Sequence, residues 1–193
     1  RKHIFDCIEH IIKQVYINYE VIFVDNCSQD GSYEESREKY PNFKYIKNSC
    51  NLGYAQGMNV GIEQSTGKYV IALNQDVCIA PDFISNAVTE ADKDDSIVAI
   101  GARIFNWENE CLSDKLRSGE GAILGFKKQV KFIADGIGDN NKYVFGPAGS
   151  CPFLRKSSLQ FIKDNLGYYY DPIFETGWED VDLFFKLNLF GGK

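Results

Sequence analysis

Apolar side chains recur at spacings of three and four through Ile4, Cys7, Ile8, Ile11, Ile12 and Val15, the period of a helix with one buried stripe. The extended run Glu20-Val-Ile-Phe-Val-Asp25 follows as a strand. A polar stretch to about Lys39 predicts a short helix that Asp30 or Ser32 caps, and Phe43 to Lys47 predicts a short strand. From Asn51 a loop enters a segment with glycines at 53, 57 and 61. On a helix Gly57 and Gly61 share one face, where the backbone can approach either a neighbouring element or a ligand. Tyr69 to Leu73 are five apolar or aromatic residues without alternation, which predicts a strand buried on both faces of a parallel sheet. Pro81 fits the first turn of a helix to about Ala91, and Ser96 to Ile100 form the next strand. From Asn106 to Asn141 no period persists, which predicts long loops and a hairpin, a natural place for substrate contacts. Ser150 to Lys156 then predicts a strand, Ser157 to Asn165 a helix, Tyr168 to Pro172 an extended or turning segment, and Gly177 to Leu187 a last helix.

Helix and strand alternate through the first hundred residues, which argues for an α/β fold with a mostly parallel, doubly wound sheet and helices on both faces. The chain opens on Arg1 in a helical pattern and stops at Gly191-Gly192-Lys193 just after another. The expectation is therefore a fragment lacking its first strand and a C-terminal segment. At 193 residues with 44% hydrophobic content it has ample core for one domain, 1–193. The net charge of −6 is spread without a basic stripe, which argues against nucleic acid as a partner. The six cysteines show no C-x-x-C pair and no nearby histidine cluster; they read as reduced, mostly buried thiols and favour a cytosolic chain.

The candidate chemistry sits at two places. Asn74 and Asp76 lie two apart just beyond a strand's carboxyl end, where open α/β sheets bind ligands, and an oxygen pair there suits a hard cation. On the last helix, Glu179, Asp182 and Lys186 share one stripe, read as solvated, with Asp182 and Lys186 forming an i,i+4 pair. Asp180 shares its arc with Leu183, Phe184 and Leu187, so it is expected to face inward at the positive helix terminus, as a candidate general base or as a simple helix cap.

Four ordered stretches, Val24-Asp-Asn-Cys-Ser-Gln-Asp-Gly-Ser32, Asn51 to Ile62, Gly67 to Val77 and Trp178-Glu-Asp-Val-Asp-Leu183, resemble the family 2 inverting glycosyltransferases of the GT-A fold, in particular a bacterial rhamnosyltransferase-like branch that builds surface polysaccharides. The resemblance implies a nucleotide-binding half over about 1–105 and an acceptor and catalytic half over about 106–193. It implies that Asp25 and Asn26 hold the base and ribose of a nucleoside-diphosphate sugar donor, and that Asn51, Gly53, Gly57 and Asn59 complete that pocket. Asn74-Gln75-Asp76 takes the place of the family's Asp-X-Asp motif, with Asn74 on the ribose and Asp76 on a divalent cation, manganese or magnesium. Asp180 matches the base, with Trp178 and Glu179 on the acceptor side. The acceptor implied is a saccharide or a lipid-linked glycan, with peripheral association at the cytoplasmic face of a membrane. The alternatives are a catalytically silent nucleotide-sugar-binding or scaffolding module on the same fold and a sugar-1-phosphate nucleotidyltransferase; a dehydrogenase is disfavoured because no G-x-G-x-x-G follows a strand.

Overall fold

The structure, a computed structural model, describes residues 2–102, 104–108, 111–116, 121–124, 130–132, 144–175 and 177–190. In chain order the elements are α1 (Lys2–Ile12), β1 (Ile22–Asp25), α2 (Ser32–Lys39), β2 (Lys44–Lys47), α3 (Gly53–Gln64), β3 (Tyr69–Ile71), α4 (Phe83–Ala91), β4 (Ala99–Ile100), β5 (Phe105–Glu108), β6 (Cys111–Leu116), β7 (Gly121–Leu124), β8 (Val130–Phe132), β9 (Gly146–Pro147), β10 (Phe153–Arg155), α5 (Lys156–Leu166) and α6 (Glu179–Leu189). Helix and strand alternate through β4, as the periodicity predicts. Pro81 lies two residues before α4, which begins after Asp82.

β1 and β2 pair in parallel. The second sheet has the order β3-β10-β4, and β10 runs antiparallel to both neighbours. This corrects the expectation for Tyr69 to Leu73. The β3 residues are only half-buried, whereas all three residues of β10 are buried. The strand that returns from the second half of the chain, rather than the parallel one, occupies the middle of that sheet. Arg155 on β10 is 6% exposed. Its guanidinium donates to the carbonyls of Ile97, Ala91 and Asp94 at 2.9, 2.6 and 3.2 Å. A buried charge needs such partners, and these three bind the α4–β4 connection to the sheet.

The core lies between this sheet and the helices α3, α5 and α6, where Ala55, Ile62, Leu154, Leu159, Ile162, Tyr170, Leu183, Phe184 and Leu187 pack together. α1 caps the loop after β3: Val15 N–H donates to Pro81 O at 2.9 Å, and the buried Gln14 amide bridges Ala80 O (2.7 Å) and Ile84 N–H (3.2 Å). Where the sequence predicts loops and one hairpin over 106–141, the described residues carry two antiparallel pairs, β5 with β6 and β7 with β8, and β9 joins β7. The remaining residues of that stretch lie outside those described, as does the expected role of its loops in substrate contact. Among the described cysteines, Cys7, Cys27, Cys50, Cys78 and Cys151 are free; Cys7 and Cys151 are buried, but Cys50 is exposed, so the thiols are less uniformly buried than expected. Burial pushes the Cys7 and Cys151 thiols up to about 12.

Candidate active site

The first wall of the site is the turn after β1. Asp25 is buried at the strand end, and both its carboxylate oxygens accept from Ser28 N–H, at 3.3 and 3.2 Å. Asn26 organises everything beside it. Its Nδ2 donates to Asn51 Oδ1 and Gly53 O, both at 2.9 Å, and its Oδ1 accepts from Asn48 Nδ2 (3.1 Å) and Leu52 N–H (3.0 Å). An amide has two donors and two acceptor sites, so this side chain is saturated. Asn26, expected to hold the nucleotide, thus has all four of its hydrogen-bonding positions engaged in shaping the wall. Gly57 and Gly61 lie on the α3 face turned to β1; a Cβ at Gly57 would stand 3.4 Å from Asn26 Nδ2, and one at Gly61 would stand 3.2 Å from Val24 Cγ2. Helix-on-strand packing therefore accounts for Gly61, whereas the space at Gly57 is that of ordinary contact.

Asn59 is likewise engaged within the protein. Expected in the donor pocket, it donates through Nδ2 to Tyr170 O and accepts Tyr170 N–H at Oδ1, each at 2.7 Å. It fixes the segment before α6 to α3 instead of presenting its amide to a ligand.

Beyond β3 the backbone of Asn74 donates to Ser150 O at 3.0 Å, and its carbonyl accepts from Val77 N–H and, at 3.7 Å, from the Cys7 thiol. Its side-chain Oδ1 is buried with no partner, and Asp76 stands exposed two residues on. A buried oxygen without a partner is costly. A neutral amide oxygen and one carboxylate suit a hard cation or a ribose hydroxyl. Among the described residues no group of three or more His, Cys, Asp or Glu stands together, so these oxygens fit a cation that brings further ligands with it.

The second wall is the start of α6. Trp178 precedes it with φ 72°, in the left-handed region, and is 61% exposed. Asp182 and Lys186 form the expected i,i+4 pair, Nζ to Oδ2 at 2.5 Å. Glu179 departs from the helical-wheel reading. It is 8% exposed rather than on a solvated stripe, and its Oε2 has no partner. In the first turn of a helix, what packs over the end decides burial. Here Tyr54 and the fully buried Tyr170 stand close enough to Glu179 and Asp180 for those charges to raise both phenols, after burial as the larger cause. Asp180 is half-buried. Its Oδ1 accepts Val181 N–H at 2.8 Å, and its carboxylate lies against Gly149, where a Cβ would stand only 2.4 Å from Oδ2.

Tyr54 joins the two walls. Its hydroxyl donates to Gly149 O at 3.1 Å and its N–H to Glu175 O at 2.8 Å. Burial raises its pKa well above the ordinary tyrosine value, helped by Glu179, Asp180, Cys151 and Asp76. The end of β3 and Asp180, more than a hundred residues apart in sequence, meet beside this phenol at Gly149–Ser150: Ser150 O takes the Asn74 N–H at 3.0 Å, and Gly149 lies against Asp180 Oδ2. Sequence reasoning passed over Tyr54; its place between two glycines at the start of α3 was the available signal.

Residues 2–160 match the sequence model of the family described as "Glycosyl transferase family 2". An uncharacterized glycosyltransferase of Haemophilus influenzae is 32% identical over 114 residues, covering 57% of this chain and 35% of its own length. An N-acetylglucosaminyl-diphospho-decaprenol L-rhamnosyltransferase of Mycobacterium tuberculosis is 25% identical over 89% of this chain and 61% of its own. Among solved structures, the mannosyltransferase PcManGT of Pyrobaculum calidifontis, in complex with GDP-Man and Mn2+, superposes with a TM-score of 0.67 at 18% identity over 100% of this chain and 50% of that one. The likeness to it supports the GT-A fold. The chain spans only about a third to three-fifths of the length of these relatives.

Proposed function

Because the chain belongs to glycosyl transferase family 2, we propose that it moves a sugar from a nucleoside-diphosphate donor to a hydroxyl of a glycan or lipid-linked acceptor, with inversion, in surface polysaccharide synthesis at the cytoplasmic face of a membrane. The association proposed is peripheral; among the described residues no helix is long and apolar enough to cross a membrane. The observation that carries the reading is that the end of β3 and the start of α6 meet at Gly149–Ser150, where Ser150 O takes the Asn74 N–H at 3.0 Å and Gly149 lies against the Asp180 carboxylate.

In this reading the wall of Asp25, Asn51, Gly53 and Gly57, kept in shape by Asn26, receives the nucleotide. Asn74 meets the ribose. Asp76 would hold manganese or magnesium together with the donor's two phosphates, and such a cation supplies charge stabilisation to the departing nucleoside diphosphate. Asp180 takes the proton of the acceptor hydroxyl as its oxygen bonds to the anomeric carbon; the bond from that carbon to the phosphate oxygen breaks on the opposite face, and the electron pair leaves with the diphosphate. Trp178, exposed at the head of α6, offers a ring to the acceptor sugar, and Glu179 braces the same turn from inside. The name of the Mycobacterium relative, an N-acetylglucosaminyl-diphospho-decaprenol L-rhamnosyltransferase, supports a lipid-linked acceptor.

Calorimetric titration of UDP, dTDP and GDP into the full-length protein, with and without manganese, tests this. At least one nucleotide is expected to bind only with the metal, and Asp76→Asn to weaken that binding. Absence of metal-dependent binding to all three overturns the reading, while such binding without any sugar transfer identifies the silent module.

A further inference from the structure

The start of α3 grips both segments that flank the Asp180 carboxylate. Gly53, at φ 78°, has no Cβ to keep Glu175 O away: one built there would stand 2.9 Å from that oxygen. The adjacent Tyr54 N–H takes the same carbonyl at 2.8 Å, which fixes the turn leading into α6. From the same residue the phenol reaches Gly149 O at 3.1 Å, and Gly149 is the surface on which Asp180 Oδ2 rests, while Oδ1 is held by Val181 N–H. Asn59, one and a half turns further along α3, clamps Tyr170, whose ring meets Tyr54 edge-on at 6.3 Å.

We propose that Tyr54 is a positioning residue that sets the place of the Asp180 carboxylate through the Gly149 carbonyl. It thereby ties the geometry of the base to the helix whose first turn also borders the donor wall through the Asn26–Gly53 bond. The inference rests on the reading of Asp180 as the base. Burial and the neighbouring acids keep the phenol protonated, so it remains a donor throughout the neutral range.

The test uses the full-length protein with Tyr54→Phe, which keeps the ring against Tyr170 and removes only the hydroxyl. Residue-resolved hydrogen exchange reads the carboxylate directly, since Val181 N–H is bonded to it. Exchange at Val181 is expected to accelerate about threefold or more while Leu187, deeper in α6, is unchanged. With whichever donor the protein turns over, kcat is expected to fall about tenfold, with donor KM within about twofold. Gly149→Ala, which places a methyl where Oδ2 lies, serves as the reference for forced displacement and is expected to accelerate Val181 more. Unchanged exchange at Val181, or an acceleration shared equally by Leu187, overturns the proposal whatever the turnover. A wild-type protein that transfers no sugar would instead refute the function, and the exchange result would still decide whether Tyr54 places Asp180.

Discussion

The wall built from β1 and the start of α3, and the rim built from the end of β3 and the start of α6, draw on the same polar residue types and treat them in opposite ways. Along the wall, Asn26 makes four hydrogen bonds within the protein and Asp25 turns both oxygens to its own loop. At the rim, Asn74 Oδ1 is buried without a partner, and Asp180 has one local bond. A saturated network holds a single shape before any ligand arrives, whereas unsatisfied oxygens keep their bonding capacity for something that comes and goes. The two sides therefore divide shape from chemistry, and substitutions should separate stability from turnover along the same line.

The rim's packing is the most exacting. A Cβ at Gly146 would stand 2.2 Å from the ring of the buried Phe184. Gly146→Ala is expected to destabilise by about 3 kcal/mol or more through overpacking, read as a fall in the denaturation midpoint. In the wall, Asn26→Ala strands Leu52 N–H and Gly53 O. A loss of about 2 kcal/mol is expected, together with weaker nucleotide binding, because the wall's shape goes with it; if binding were lost with stability intact, Asn26 would be a ligand contact after all. Asn59→Ala, which frees the Tyr170 backbone, is expected to cost about 1–2 kcal/mol and to leave nucleotide affinity within about twofold. A fall in affinity as large as that of Asn26→Ala would erase the distinction between the two asparagines.

The smallest effect lies outside both sides and calibrates them. Glu20 accepts the hydroxyl and N–H of Thr66, and these bonds, the hydroxyl's first, lower its pKa below the ordinary 4.5. A lowered folded pKa means the unfolded chain takes up the proton first as pH falls, so the contribution is complete above 4.5 and disappears as pH drops through the lower folded value. Wild type and Glu20→Gln should therefore differ slightly in stability at pH 7 and converge in acid. A difference that persists unchanged in acid would contradict this.

Local pattern carried much of the fold. The stripe of Ile4, Cys7, Ile8 and Ile11 gives α1, the glycine-spaced segment gives α3, and β1, β2, β3, α5 and α6 fall within a few residues of their expected places. The direction of β10 was not legible, because a three-residue strand pairs equally well either way on sequence alone and its neighbours come from a distant half of the chain. In the site, Asn74, Asp76 and Asp180 were visible as residue types at strand and helix ends. That Asn26 and Asn59 are engaged within the protein was not legible, because a free amide and a saturated one are identical in sequence. Glu179 was assigned to a solvated stripe because a helical wheel knows only its own helix, whereas in the folded chain the residue is buried.

The central claim is that Asp180 is the base while its neighbour Glu179 braces the turn. Sugar transfer by Asp180→Asn and Glu179→Gln, measured side by side in full-length protein with donor binding checked for each, tests it most directly. The account predicts a loss of about 10²–10⁴-fold in kcat for Asp180→Asn with donor affinity retained, and a much smaller loss for Glu179→Gln. Near-normal transfer by Asp180→Asn, with transfer abolished in Glu179→Gln, would contradict it.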